Sequence, residues 1–427
     1  MIIGDVFDVL ATIDDESVDL ALTSPPFIAL RSYLPDDHPD KGKEIGQEPT
    51  PAEFIDTLLR LTAELERVVT PHGTIAIELG DTYSGSGGAG GDYSHDGLRE
   101  GQNAFKGSAR KKAKNRNRAA AHGADDGPVA GGHMLGGHGW PEPKSACLIP
   151  ELFRVALAYG MNPLTGEPSP SGRWRVRNTV RWVRPNPPVG ALGDKFRPAT
   201  SDLVIACKSK NRWFDLDAVR TSPKSGDAGE TLSESRSVTG FRGVTDGSSD
   251  HPHLVSHPAG APPLDWWKIS PGGYSGSHYA VFPPELCVIP IKAMCPEHVC
   301  TVCGEPRRRL VGEATYAAKG VDVEPHVWAS EISSGKGAHS AKKSPMSGIT
   351  RHSETIGWSD CGHGHSWRPG VVLDPFGGSG TTGMVATGHG RDAILVDIDE
   401  RNADLARERI GMFLTVETLA DRIGKAA

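Results

Sequence analysis

One segment of this chain combines residue types and spacing suited to holding a nucleotide-like cofactor. Asp374-Pro-Phe376-Gly-Gly378-Ser-Gly380-Thr381-Thr382 follows directly on the apolar stretch Val371 to Leu373. Glycines there let backbone amides approach a ligand at a strand's carboxyl end and a helix N-terminus, where open α/β sheets bind ligands. Asp397 closes the next apolar stretch, placed to accept hydrogen bonds from ribose hydroxyls. Two cofactors fit. Gly378-x-Gly380-x-x-Gly383 satisfies the dinucleotide fingerprint of nicotinamide enzymes. The acidic Asp374 ahead of the glycines favours S-adenosylmethionine, whose methionine ammonium is stabilised by an anion.

A second segment, Thr23-Ser24-Pro25-Pro26-Phe27, comes immediately after the apolar run Val18 to Leu22. Two consecutive prolines cannot continue a ladder and they fix φ, so the strand must end in a rigid turn with unpaired carbonyls. An ordinary loop would satisfy the same pattern. As chemistry, the turn suits an amino substrate. Ser24 Oγ and the Pro25 carbonyl can each accept a hydrogen bond from one –NH₂ group, drawing its nitrogen toward tetrahedral and exposing a lone pair. Phe27 would stack on the ring that carries the amine.

A third cluster is metal-like. Cys300-Thr-Val-Cys303-Gly has the spacing of a zinc knuckle, and Cys361-Gly-His363 can complete a four-ligand structural Zn²⁺ site, with His365 as rival to His363. The competing reading is a pair of free thiols on a loop. Cys147, Cys207 and Cys287 lie in apolar stretches and read as buried thiols.

The elements that must position these groups alternate. Residues 1–83 read as strand, helix, strand, helix, strand, with Phe54, Leu58, Leu61 and Leu65 at helical spacing and Thr50 and Pro51 at the helix start. Lys144 resumes structure with the helix PELFRVALAYG and the strands WRVRNTVRWV and DLVIACKS, and the chain ends on the strand VVLDPF, a helix, the strand DAILVDID and a last helix. Alternation of this kind implies a mostly parallel sheet covered on both faces. Between these parts, 84–143 is Gly-rich and basic, with seven Lys and Arg from Lys106 to Arg118 and no acid among them. That run would touch phosphates or remain a solvated loop.

With 427 residues, 37% hydrophobic content, 52 glycines and 33 prolines, the chain carries much loop around one large α/β core or two domains. No stretch approaches the roughly 18 apolar residues of a membrane span, and Met1 leads straight into an apolar strand. A soluble cytoplasmic protein with no membrane partner is expected. Seven cysteines, an odd number, argue for thiols or metal ligands over a disulfide framework. The formal charge of -7 makes a nucleic-acid partner depend on local basic patches.

The pair TSPPF and DPFGGSGTT resembles motifs IV and I of the amino-DNA methyltransferases, and their order along the chain resembles the circularly permuted β-class of that family. HYAVFPPEL (278–286) is similar to the family's motif X, IELGDTY (77–83) to the strand after the target motif, and WVRPNPP (182–188) to a later strand. The resemblance implies an α/β, Rossmann-like S-adenosylmethionine-dependent methyltransferase sheet, circularly permuted, acting on a base flipped from double-stranded DNA. It places Phe282 on the cofactor wall and Asp5 near the cofactor adenine, and makes Ser24, Pro25, Pro26 and Phe27 the catalytic turn. Asp374, Phe376, Gly378, Gly380, Thr381 and Asp397 become the cofactor site. Ser before Pro-Pro favours cytosine N4 over adenine N6, although Phe27 stands where Tyr is commoner. The implied division is 1–83 catalytic half, 84–143 insertion, 144–215 core, 216–277 DNA-recognition insertion, 278–298 cofactor wall, 299–366 small zinc-binding insertion and 367–427 cofactor half. The zinc insertion would touch DNA or only order a long excursion. A cognate restriction endonuclease, the recognition sequence and the oligomeric state stay open, as do a nicotinamide oxidoreductase and a DNA-binding protein without catalysis, against which intact Ser24, Asp374 and Asp397 argue.

Overall fold

All six residues of Val18–Thr23 are buried, on both faces, as a strand inside a parallel sheet requires. In chain order the strands are β1 (Ile2–Ile3), β2 (Val18–Thr23), β3 (Val69–Leu79), β4 (Arg175–Val183), β5 (Thr200–Cys207), β6 (Trp266–Lys268), β7 (Val299–Cys300) and β8 (Arg309–Val311). They continue with β9 (Thr315–Ala318), β10 (Val321–Val323), β11 (Ile349–His352), β12 (Thr355–Trp358), β13 (Trp367–Arg368), β14 (Val371–Asp374), β15 (Asp392–Asp397) and β16 (Glu417–Thr418). The structure, a computed structural model, describes residues 1–29, 32–35, 37–84, 138–187, 195–221, 261–271, 282–312, 315–318, 321–323, 349–352, 355–364 and 366–426. The basic run 106–118, residues 278–281 of the motif-X segment, His365 and most of 216–277 lie outside them.

Among the described residues, nine strands form one sheet in the order β16-β1-β15-β14-β2-β3-β5-β4-β6. From β16 to β3 every neighbour is parallel, with Leu373 opposite Ala21 and Ala21 opposite Ile75. β5 then runs antiparallel to β3, and β4 antiparallel to β5. The expectation of a mostly parallel sheet thus holds for six strands and reverses at β5, so the start of β5 lies at the sheet end where the parallel strands finish.

Helices α1 (Val6–Leu10), α2 (Pro51–Val68), α3 (Ile149–Tyr159), α4 (Pro284–Met294), α5 (Thr381–Gly388), α6 (Asn402–Ile410) and α7 (Leu419–Ala426) accompany the strands. In α2 the expected cap is present, Glu53 N donating to Thr50 Oγ1 at 3.3 Å, and Phe54, Ile55, Leu58, Leu61 and Leu65 bury into the core. The chain's two terminal portions meet in the sheet. β1 lies between β15 and β16, the Met1 ammonium donates to Thr415 O at 2.6 Å, and Gly4 N to Asp397 O at 2.9 Å.

Buried Asp19 fastens the strand bases. Its carboxylate accepts from His72 Nε2 at 2.8 Å, Arg368 NH1 at 2.7 Å and Val371 N at 2.8 Å. Burial alone would raise its pKa, and the hydrogen bonds from His72 and Arg368 outweigh that and hold it below the usual value.

Two compact units divide the chain: Met1–Phe214, Leu264–Pro306 and Ser366–Ala427 form the first, Asp215–Pro263 and Arg307–His365 the second. The first contains the whole nine-stranded sheet. The sequence boundary at 277 moves to 263, because Trp266–Lys268 joins the sheet beside β4. The second unit draws on both expected insertions. Within it β8 pairs with β12 and β9 with β10 and β11, all antiparallel, and Arg309 grips Asp215 with hydrogen bonds of 2.8 to 3.1 Å while stacking on Trp358.

Candidate active site

A cavity of about 790 Å³ opens in the first unit, where β2, β3, β14 and β15 end and β5 begins. Ser24, Pro25, Pro26 and Phe27 line it together with Phe376, Gly378, Thr381 and Asp397, so the two segments singled out by chemistry share one chamber. Phe282 and Asp5 line it as well. The Asp5 carboxylate also caps α1, accepting from Phe7 N at 3.0 Å and Asp8 N at 3.2 Å.

At the serine-proline corner, Ser24 Oγ donates to Glu78 Oε2 at 2.6 Å. Glu78 is the penultimate residue of β3 and is buried in the cavity wall. Burial raises its pKa, with hydrogen bonds from Ser201 and Ser24 and the charge of Arg184 opposing the shift. While Glu78 is ionised, the proton of Ser24 is committed to it, and the Oγ lone pairs are left to accept from a ligand. The Phe27 ring lies against Gly80, where a Cβ would come within 2.6 Å of a ring carbon. Only glycine at 80 lets this aromatic take its place.

At the glycine corner, Gly378 adopts φ 48°, a conformation that favours glycine, and its N–H donates to Asp397 Oδ2 at 2.7 Å. Asp397 Oδ1 accepts from Asp399 N at 2.8 Å and Asn402 Nδ2 at 3.0 Å. Oδ2 therefore keeps a free lone pair for a ligand hydroxyl. Burial drives this carboxyl up to about 6 against those hydrogen bonds.

Two of the expected cofactor residues act differently. Asp374 does not line the cavity. Its carboxylate is buried and accepts from Thr23 Oγ1 at 2.5 Å, Thr382 Oγ1 at 2.6 Å and Phe376 N at 3.1 Å. It ties the serine-proline strand to the glycine turn and is a positioning residue, not a partner for an ammonium. Gly380, in the left-handed region at φ 78°, likewise lies off the cavity; a Cβ there would press on Ala406 and Ile410 at 3.0 and 3.1 Å, so its role is packing α5 on α6.

Sequence reading missed Glu78, Gly80, Trp182 and Arg184. An acid inside the buried run Ile75–Leu79 was a usable signal for Glu78, since an ionisable group in such a strand needs a partner. Trp182 and Arg184 carry no comparable mark. Trp182 is fixed by Nε1 donating to Ile269 O at 2.9 Å, and Arg184 by donating to Thr200 O at 2.8 Å and Ser201 Oγ at 3.2 Å.

The metal-like residues divide between the two units, Cys300 and Cys303 in the first and Cys361 and His363 in the second. In the first, the knuckle turn is formed: Gly304 N donates to Cys300 O at 2.9 Å, Val302 N to Cys300 Sγ at 3.4 Å, and Gly304 takes φ 71°. In the second, His363 Nδ1 lies 3.4 Å from Cys361 Sγ on a turn with Gly362 and Gly364 at φ 82° and 75°.

Comparison with known proteins agrees with the chamber. A sequence model of the N6/N4 family described as DNA methylase matches residues 18–299 and 365–408. Type II methyltransferase M.SmaI of Serratia marcescens is 22% identical over 417 residues, covering 96% of this chain and 90% of that one. Type II methyltransferase M.SfiI of Streptomyces fimbriatus is 25% identical over 239 residues, 56% of this chain, and the match spans only 43% of that protein. Among solved structures, PvuII DNA methyltransferase (cytosine-N4-specific) superposes with a TM-score of 0.45 at 13% identity, covering 99% of this chain and 89% of that one. The match to the DNA methylase model sets aside the nicotinamide reading of the glycine turn. With the family's sequence pattern running through most of the first unit, both sides of the cavity included, the chain belongs to the N6/N4 DNA methylases.

Proposed function

We propose that this protein transfers a methyl group from S-adenosylmethionine to the N4 amino group of a cytosine flipped out of double-stranded DNA. The observation that carries this reading is the presence of Ser24 and Gly378 in one cavity. Bound in the glycine corner, the cofactor supplies a methyl group activated on a sulfonium. Asp397 Oδ2 and the Phe376 and Phe282 rings hold its nucleoside. The chain's own contribution is placement and proton handling. Phe27 stacks on the extruded base, and Ser24 Oγ and the Pro25 carbonyl accept its two amino hydrogens. As the new C–N bond forms, N4 loses one proton. Ser24 Oγ takes it while passing its own to Glu78 Oε2, and Glu78 later releases it to solvent. A serine at this position, in place of Asp or Asn, supports cytosine over adenine. The sheet order, with β1 beside β15, supports the circularly permuted arrangement.

The test is incubation with labelled S-adenosylmethionine and unmethylated plasmid DNA, followed by mass spectrometry of the nucleosides. N4-methylcytosine is expected; N6-methyladenine would overturn the base assignment, and absence of transfer the function. Ser24→Ala and Glu78→Gln should each lower kcat at least about 100-fold and leave cofactor affinity unchanged. Because Glu78 must be ionised and its pKa is raised, the wild-type rate should fall as pH drops through that raised value.

Cys300, Cys303, Cys361 and His363 are proposed to hold one structural Zn²⁺. Three thiolates and an imidazole are a donor set that zinc takes in tetrahedral geometry, and both ligand pairs sit on glycine turns of the kind that present such ligands. About one equivalent of zinc in the purified protein is expected by mass spectrometry of the metal, and none after Cys303→Ser with Cys361→Ser.

A further inference from the structure

Flipping a base leaves a hole in the duplex, and a protein that flips must either tolerate the hole or fill it. Beside the cavity stands a residue with no role in the chamber itself. Phe196 is 97% exposed, a large aromatic held almost wholly in water. It sits between Lys195 and Arg197, both exposed, and two residues before Pro198, which lines the cavity. The segment around it is anchored. Lys195 Nζ lies 3.4 Å from the centroid of the Tyr83 ring, Arg197 donates to Pro187 O, and Arg184 N donates to Ala199 O at 2.8 Å. The next residue, Thr200, begins β5 and lines the cavity wall.

Exposed apolar side chains are ordinary when single, but a fully solvated Phe flanked by two cations at the rim of a catalytic chamber has a specific fit to DNA. Basic residues on either side make the segment attractive to a polyanion, and an aromatic ring inserted between bases replaces lost stacking. We propose that Phe196 is the wedge that enters the duplex beside the target and occupies the space vacated by the flipped base. This rests on the DNA-methylating function proposed above. Phe196 is then a positioning residue: it makes no contact with the reacting atoms and lowers the cost of bringing the base to Phe27 and Ser24.

The experiment compares wild type, Phe196→Ala and Phe196→Trp on duplex oligonucleotides carrying a site that the wild-type protein methylates, with the target base either correctly paired or mispaired. Unpairing in advance removes much of the extrusion cost, so the need for a wedge falls. Phe196→Ala should lose about tenfold or more in kcat/KM on the paired duplex and return to within about threefold of wild type on the mispaired one, a recovery of about threefold or more. Phe196→Trp should stay close to wild type on both, and cofactor affinity should not change in either variant. Equal losses on the two duplexes, or wild-type rates for Phe196→Ala on the paired one, would overturn the proposal while methylation by the wild type left the function standing. No methyl transfer by the wild type would instead remove the function on which the wedge rests.

Discussion

At the scale of single residues, the chamber is built from groups whose protonation is set by burial. Asp397 is the clearest case. Two backbone amides and Asn402 favour its charged form, yet burial carries the carboxyl up to about 6. A ribose hydroxyl donating to Oδ2 prefers the ionised form, so cofactor binding should weaken as the pH falls through that value. Calorimetric titration with S-adenosylmethionine should show Kd rising by about tenfold per pH unit below 6, and Asp397→Asn should bind weakly at every pH with no such slope. A flat profile in the wild type would show that Oδ2 does not carry the contact. Asp374 shows the opposite logic. Sequence placed it as the anion for the cofactor, whereas the fold uses both of its oxygens on Thr23, Thr382 and Phe376. A carboxylate buried away from the cavity has little to offer a ligand there. What it provides is a rigid link between residues far apart in the chain.

At the scale of elements, the serine-proline corner depends on the strand next to it. β3 ends at Leu79, and Gly80 follows with no side chain, so that the Phe27 ring can pack close against it. Gly80→Ala would push a methyl group to 2.6 Å from a ring carbon, and the ring must rotate out of the stacking position. The expected outcome is a loss of about tenfold in kcat/KM for DNA with little change in cofactor Kd, because the glycine corner is held by other strands. Equal activity of Gly80→Ala and wild type would mean that Phe27 does not stack on the base. The helix and strand positions themselves were legible in sequence: the spacing from Phe54 to Leu65 and the apolar runs at Val18, Val371 and Asp392 all form the expected elements. The reversal of direction at β5 was not, since an apolar run reads the same whichever way its strand is laid.

At the scale of the whole molecule, the second unit consists of Asp215–Pro263 and Arg307–His365, stretches separated in sequence by two strands and a helix of the first. A structural metal would contribute folding energy directly, because ligands this far apart in the chain are not assembled in the unfolded state. Chelation at neutral pH should therefore lower the thermal midpoint by several degrees, for a loss of about 1 to 3 kcal/mol in a protein of this size, and added zinc should restore it. An unchanged midpoint in a zinc-free preparation would remove the metal from the account. By itself the sequence determined the chemistry of the two corners: proline and glycine constrain the backbone locally, and the acids that end β14 and β15 are marked by their neighbours in the chain. Only the tertiary structure decided that Ser24 and Gly378 face one cavity, that Asp374 is a link instead of a ligand, and that Glu78 holds the serine proton. Those facts depend on which strands lie side by side, and strand adjacency is fixed by packing over the whole sheet and not by any local run of residues.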